Sequence, residues 1–296
     1  MIAIFGPTAS GKSAVAEALA DRIPAELVSA DAMQAYRGLP ILTNQSTTPA
    51  RLVAIWPLDH EGSVGEYAEL AHAAIDEVLA AGRTPIVVGG TGLYLRAALA
   101  DLALPGRSDE RAGWEAFYDE RSGEGAHARL AELDPAAAAL VHPNDRRRVV
   151  RALELAAAGE SLAPAVDRLW SEATRHPTLV VGLEVPKAEL ERRIEARTQA
   201  MFEADVAEEA RRALSGPISE IARKTLGLEE AATLAPEEAQ EAIATRTRRY
   251  AAYQRKWMRR IPGLVSVAAD RPAGEVADEI LEVARARQLL PAPGGR

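Results

Sequence analysis

Eight residues near the start constrain this chain more than any others: Gly6, Pro7, Thr8, Ala9, Ser10, Gly11, Lys12 and Ser13. They fill the pattern of a phosphate-binding loop (P-loop). They also stand where that pattern has meaning, after the short apolar run Ile2–Phe5 and before a helical pattern from Lys12 to about Arg22. In such a loop, backbone N–H groups turn inward to cradle phosphate oxygens, and the following helix adds the positive end of its dipole. Lys12 supplies a point charge, and the Ser13 hydroxyl is placed for Mg²⁺.

A loop of this kind belongs at the end of a buried strand, and the next segments supply more strands. Residues 25–30 read as a second strand closed by Asp31, residues 64–81 as a helix, and residues 85–90 as a third buried strand breaking at Gly89 and Gly90. Strands alternating with helices predict a parallel sheet covered on both faces. From Pro105 to about His176 the chain turns Ala-, Glu- and Arg-rich. Its helical spacing there is broken at Gly123, Gly125, Pro135, Pro143 and Pro164. Residues 178–185 return to the sheet, and 187–214 read as one long charged helix. Helices are expected over 220–232, 236–259 and 273–288, with a last strand at 264–267. The fold class is therefore α/β, a P-loop three-layer parallel sheet with a helical insertion domain. Its expected parts are a first part of the core over 1–104, the insertion over 105–176, a second part of the core over 177–290 and a disordered tail over 291–296.

Composition narrows the function classes. The chain has no cysteine, which removes disulfides and thiolate metal sites. Its histidines, His60, His72, His127, His142 and His176, are scattered, so no zinc site is expected. No apolar run reaches membrane-spanning length and no basic leader precedes the first strand, so a soluble cytoplasmic protein without membrane association is expected. A net charge of −8 speaks against nucleic-acid binding by overall charge. Two local basic runs run counter to it. One is Arg146, Arg147, Arg148 and Arg151; the other is 246–260, with seven Lys or Arg, no acid, and Tyr250, Tyr253 and Trp257 interleaved. Taken alone, the second run reads as a solvated helix with paired arginines and packed aromatics; an RNA partner would make some of its arginines phosphate contacts.

The carboxyl ends of parallel strands line a ligand crevice, which places Asp31 there. Such a carboxylate can take a proton from a nucleophile, or it can cap a helix or act as an outer ligand of Mg²⁺; position alone does not choose. Gln34 and Tyr36 suit hydrogen bonding and stacking with a base, or equally a loop surface. The third strand runs into Gly89, Gly90, Thr91 and Gly92 rather than a metal-binding Asp. That favours a small-molecule kinase or another group transferase over a motor or switch.

These residues together resemble a family. The P-loop and Ser29–Gly38, then Val88–Arg96, His142–Glu154, Arg193–Met201, and Thr247–Ala251 with Gln254 and Trp257, are similar to successive blocks of bacterial tRNA dimethylallyltransferases (tRNA isopentenyltransferases). The blocks occur in family order across nearly the whole chain. The resemblance implies transfer of a dimethylallyl group from dimethylallyl pyrophosphate to the exocyclic amine of the adenine 3′-adjacent to the anticodon in tRNA. It implies a P-loop domain with a helical insertion facing the tRNA, Mg²⁺ as cofactor, and a monomer. By the same resemblance Gly6–Ser13 binds the pyrophosphate, with Thr8, Lys12 and Ser13 holding it and the metal. Asp31 is implied as general base, and Lys12 and Arg197 as the catalytic cations. Asp31, Ala32, Met33, Gln34, Thr91, Arg111, Arg147, Arg148 and Arg151 correspond to tRNA-contacting positions. The chain departs from the family pattern at Ala32, Leu39–Gln45, Arg51–Pro57, Leu228, Ala252 and Tyr253. Three other readings compete. A P-loop kinase of a small metabolite or nucleoside would turn over ATP without tRNA. A prenyltransferase of free adenine nucleotides would need no large basic surface. A non-catalytic nucleotide-binding module would not need Asp31.

Overall fold

Ile2, Ala3, Ile4 and Phe5 are all fully buried and form β1 (Ile2–Phe5). A strand apolar on both sides needs cover on both faces and a neighbour at each edge. The computed structural model, which describes residues 1–102, 110–163 and 168–290, provides these. The expected boundary at Pro105, the break at Pro164 and the tail 291–296 lie outside the described residues.

After β1 come α1 (Lys12–Ala20), β2 (Ala25–Ser29), a two-residue strand β3 (Ala50–Arg51), α2 (Val64–Ala80), β4 (Thr84–Gly89) and α3 (Gly92–Leu99). The insertion contributes α4 (Arg111–Leu133), α5 (Pro135–Leu140) and α6 (Arg146–Ala157). Then follow β5 (Leu179–Glu184), α7 (Lys187–Glu203), α8 (Val206–Ser215), α9 (Glu220–Arg223), α10 (Leu228–Thr233), α11 (Pro236–Met258), β6 (Val265–Ala268) and α12 (Ala273–Ala286). The sheet order is β3-β2-β4-β1-β5-β6, and every pairing is parallel. The chain moves from β1 out to β2 and then back to β4. Right-handed crossovers therefore put α1 and α2 on opposite faces, which makes the three layers. On the α1 face, Ile2, Ile4, Leu27, Ile86 and Val181 pack against Val15 and Leu19 of α1 and Val276 and Ile280 of α12.

The expected long helix over 187–214 is two helices. Asp205 adopts a left-handed backbone (φ 64) between α7 and α8 and turns the chain. The turn serves a second apolar cluster, in which Leu39 and Leu42 pack with Met201, Val206, Leu228 and Ile243. The Glu209 carboxylate on α8 accepts from the Ile41 and Leu42 N–H groups at 2.9 and 2.8 Å. Burial pushes this carboxyl up, and the two backbone hydrogen bonds oppose the rise.

Two compact units divide the chain: Met1–Leu102 with Leu169–Arg296, and Ala103–Arg168. The stretch from Leu169 to His176, read from sequence as part of the insertion, belongs to the first unit. The reason lies in Arg96, which is buried on α3 and donates to the Leu169 and Ser171 carbonyls, both at 2.9 Å. The second unit has its own core, where Ala126, Leu130, Val149 and Leu153 pack with Trp114, Phe117 and Tyr118. Asp134 and Asp145 cap α5 and α6 through the Ala137 and Arg148 N–H groups. Among the described residues no helix is long and apolar enough to cross a membrane.

Candidate active site at the carboxyl end of the sheet

The P-loop leaves β1 at the centre of the sheet. Asp31 leaves β2, which is not β1's neighbour, because β4 lies between them. The closeness of the two exits is set by the end of β4. A Cβ on Gly89 would fall 2.1 Å from the Ala30 carbonyl oxygen, so only glycine lets the β2 exit lie this near. Ala30 N–H donates to the Val88 carbonyl at 2.7 Å, and the chain turns at Asp31.

That turn is tied down at each residue. The Asp31 carboxylate accepts from Met33 N–H at 3.1 Å, and Ala32 N–H reaches the Thr91 hydroxyl at 3.5 Å. The Thr225 hydroxyl, which donates to the Ala222 carbonyl at 2.7 Å, lies 3.2 Å from the Met33 sulfur. The Gln34 amide accepts from the Ser29 hydroxyl and donates to the Thr43 and Asn44 carbonyls. Tyr36 is fully buried. Its hydroxyl donates to the His60 carbonyl at 3.1 Å, so it is neither a base-stacking ring nor loop surface.

The P-loop carries two cations. Lys12 donates to the Pro7 carbonyl at 2.8 Å. Burial lowers its ammonium to about 8, Asp31 opposes the shift, and Arg197 adds to it. Arg197 reaches over from α7 and donates to the Thr8 hydroxyl at 2.8 Å. Burial lowers its guanidinium below the ordinary value, and Asp31 opposes this. The Asp31 carboxylate is thus within electrostatic reach of both cations. Two polar groups are left with no partner here: the buried Arg197 Nε and the buried Ser10 hydroxyl. A buried donor without an acceptor costs free energy, and a bound diphosphate would supply acceptors. Ser13, in the first turn of α1, lines a recess that is in part polar (Glu17, Ser29, Gln34) and in part apolar (Leu27, Val53, Val88).

Helix α11 backs the site. Burial pushes the Tyr250 phenol up to about 12, and its hydroxyl is in hydrogen-bond reach of Thr91 and Gln254. Trp257 packs on Trp170 at 4.8 Å between ring centroids, and Arg260 lies over the Trp170 ring at 3.8 Å. Arg246 pairs with Glu230, and Arg248 with Glu195 at 2.6 Å. Tyr253 is 54% exposed and stacks on Tyr250. Three of the seven cations of this run thus have a partner in Glu230, Glu195 or the Trp170 ring, while Arg249, Lys256 and Arg259 are exposed. Sequence reasoning gave Gln254 no role, yet its side chain accepts from Thr8 N–H at 2.7 Å. Its only mark in the sequence is membership of a family block.

In the second unit the expected RNA-facing arginines divide into two kinds. Arg147 and Arg148 are exposed, with Arg148 3.6 Å from Asp145. Arg151 is 2.9 Å and Arg111 3.6 Å from the buried carboxylate of Glu154, and Arg111 also pairs with Glu115 at 2.9 Å. Arg148 and Arg151, one helical turn apart, do not share an environment.

Comparison with known proteins gives this geometry a lineage. The family described as IPP transferase matches residues 34–261, and that described as isopentenyl transferase matches residues 1–52. A tRNA dimethylallyltransferase of Anaeromyxobacter dehalogenans is 42% identical over 283 residues, covering 90% of this chain and 94% of the relative. One from Thermobifida fusca is 38% identical over 291 residues, covering 92% and 91%. Among solved structures, a full-length tRNA isopentenylpyrophosphate transferase from Bacillus halodurans superposes with a TM-score of 0.69 at 29% identity, covering 97% of each chain. A eukaryotic dimethylallyltransferase acting on tRNA shares the fold, with a TM-score of 0.79 at 23% identity over 100% of this chain and 81% of the other. With a match across most of its length, the chain belongs to the IPP transferase family.

Proposed function

We propose that the chain transfers a dimethylallyl group from dimethylallyl pyrophosphate to the exocyclic amine of the adenine 3′-adjacent to the anticodon in tRNA. The observation that carries this reading is the pairing of opposites at one sheet end. Lys12 and Arg197, with the unpartnered Arg197 Nε and Ser10 hydroxyl, converge on the P-loop, and Asp31 lies across from them within electrostatic reach. In the reaction the bond from the allylic carbon to the diphosphate oxygen breaks. A bond from the adenine amine nitrogen to that carbon forms, and the amine proton passes to Asp31. Pyrophosphate leaves with the bonding electrons. Lys12 and Arg197 stabilise the charge that builds on the leaving oxygens, which is usually the largest catalytic contribution of such a site. Extruding the adenine costs a few kcal/mol, less from a single-stranded loop.

The Ser13 hydroxyl, in the first turn of α1 beside Lys12, suits a hard cation such as Mg²⁺, which takes one or two protein oxygens plus phosphate oxygens. The metal would add charge neutralisation on the diphosphate. The exposed Arg147 and Arg148 suit phosphate contacts with the tRNA, and the Asp31–Gln34 turn with Thr91 suits the anticodon loop. We place the protein in the cytoplasm as a monomer. The kinase reading is not retained: the relatives named above are prenyl transferases by name.

Incubation with labelled dimethylallyl pyrophosphate, bulk tRNA and Mg²⁺, followed by nucleoside analysis, tests the proposal. Label is expected on adenosine in tRNA. Phosphate transfer from ATP to a small acceptor, with no prenyl transfer, would overturn it. Asp31→Ala should lower kcat by roughly 10²–10⁴-fold with little change in the donor KM.

A further inference from the structure

Gln254 is 2% exposed and lies on α11, far in sequence from Thr8 and Gly90, the two loop residues it bonds. Its Oε1 accepts from Thr8 N–H at 2.7 Å, inside the P-loop. Its Nε2 donates to the Gly90 carbonyl at 2.8 Å, one residue before Thr91. The amide orientation is unambiguous, since an N–H faces the oxygen and a carbonyl faces the nitrogen. The approach is close enough that a Cβ on Gly90 would fall 2.3 Å from Nε2, so the Gly90 position is built around this side chain.

Thr8 lies in the P-loop that leaves β1, and Gly90 lies at the exit of β4, the strand beside β1. Thr8 is held from two directions, its N–H by Gln254 and its hydroxyl by Arg197 at 2.8 Å. Gly90 leads into Thr91, whose hydroxyl meets Ala32 N–H beside Asp31. Gln254 is also in reach of the Tyr250 hydroxyl, which reaches Thr91 in turn. We infer that Gln254 is a positioning residue that sets the distance between the diphosphate cradle and the turn carrying Asp31. This rests on the transfer reaction proposed above. A single amide bonds both loops beyond the end of the strand pairing, its oxygen taking the Thr8 N–H and its nitrogen giving to the Gly90 carbonyl. Geometry at this level is worth much in rate: a misplacement of about 1 Å can cost roughly 10²-fold.

Two variants test the inference. Gln254→Met keeps the length and removes both hydrogen bonds. It should lower kcat at saturating substrates by roughly tenfold or more per folded molecule, with the tRNA KM within about twofold of wild type. Gln254→Glu offers an acceptor and a donor when protonated, and loses the donor when ionised. At pH 7, where a glutamate of ordinary pKa (about 4.3) is ionised, its kcat should fall as that of Gln254→Met does. Circular dichroism of each variant gives the folded fraction. Transfer by Gln254→Met within about threefold of wild type would assign Gln254 to packing alone, and the same result for Gln254→Glu at pH 7 would do so too. If wild type itself fails to prenylate tRNA, the functional reading fails instead, and the two failures are told apart.

Discussion

Raising the pH through the titration of Lys12 perturbs the donor cradle without changing an atom of the fold. Burial disfavours the charged ammonium, so the proton leaves near pH 8 rather than near the ordinary value of about 10.4. The sign follows directly: the cation proposed to hold the diphosphate is present below pH 8 and is lost as pH rises through it. With a single group titrating at about 8, about half the enzyme holds the proton at pH 8 and about one-eleventh at pH 9. The kcat/KM for dimethylallyl pyrophosphate should therefore stand about tenfold below its plateau at pH 9, and about thirtyfold below at pH 9.5. An unperturbed lysine would cost only a few per cent at pH 9. The assay is initial-rate transfer at saturating tRNA and subsaturating donor, from pH 7 to 9.5 at constant ionic strength. Lys12→Arg is the control, because a guanidinium does not titrate in this range; its rate should be lower but free of the break. A flat wild-type profile to pH 9.5 would refute the reasoning, and so would the same break in the arginine variant.

Three further outcomes follow from particular contacts. Arg197→Ala should raise the donor KM by roughly tenfold or more and leave the melting temperature nearly unchanged, and Arg197→Lys should restore activity only in part; unchanged donor kinetics with a lowered melting temperature would make it a structural ion pair. Arg148→Ala should weaken tRNA binding and make its dependence on log salt shallower by about 0.7–0.9. By contrast, Arg151→Ala removes a partner of buried Glu154 and should cost about 2 kcal/mol of stability; equal effects of the two on a tRNA salt series and on thermal melting would contradict the division. Glu209→Ala leaves the Ile41 and Leu42 N–H groups without their carboxylate and should cost about 2–4 kcal/mol in urea unfolding. A loss under about 0.5 kcal/mol would mean that water replaces the carboxylate there.

The parts legible in the sequence are those where local pattern and tertiary need coincide. β1, β2 and β4 are apolar runs because parallel strands are buried on both faces, and the P-loop is legible because its chemistry is contiguous. β3 is too short to carry a pattern. The break at Asp205 was hidden because an aspartate in a left-handed turn carries no signal that a helical aspartate lacks. Tyr36 reads as available because nothing local in the sequence shows that the chain folds over it. The departures at Leu39–Gln45 and at Leu228 looked unrelated in sequence. In space Leu39, Leu42 and Leu228 share one cluster, so each accommodates the others. That Arg111 and Arg151, at tRNA-contacting positions by resemblance, both lie beside the buried Glu154 is invisible in the sequence. Gln254 was beyond pattern altogether, since its partners Thr8 and Gly90 come from two distant loops.

The strand order also has a consequence in time. The chain is made from its N-terminus, so β1, β2 and β4 exist by Gly89, while β5, the other neighbour of β1, begins only at Leu179. Until then the central strand has one edge bare, and that edge is Ile, Ala, Ile and Phe. What emerges from the ribosome meanwhile is the helical unit, whose contacts are close in sequence and whose core is its own. Helical units of that kind fold quickly. The nascent protein therefore completes its insertion before it can close its sheet, and the half-built sheet is the species exposed to aggregation. A chain stopped just before β5 would hold the complete P-loop motif and a folded helical unit, yet lack the strand that makes the loop's own strand internal.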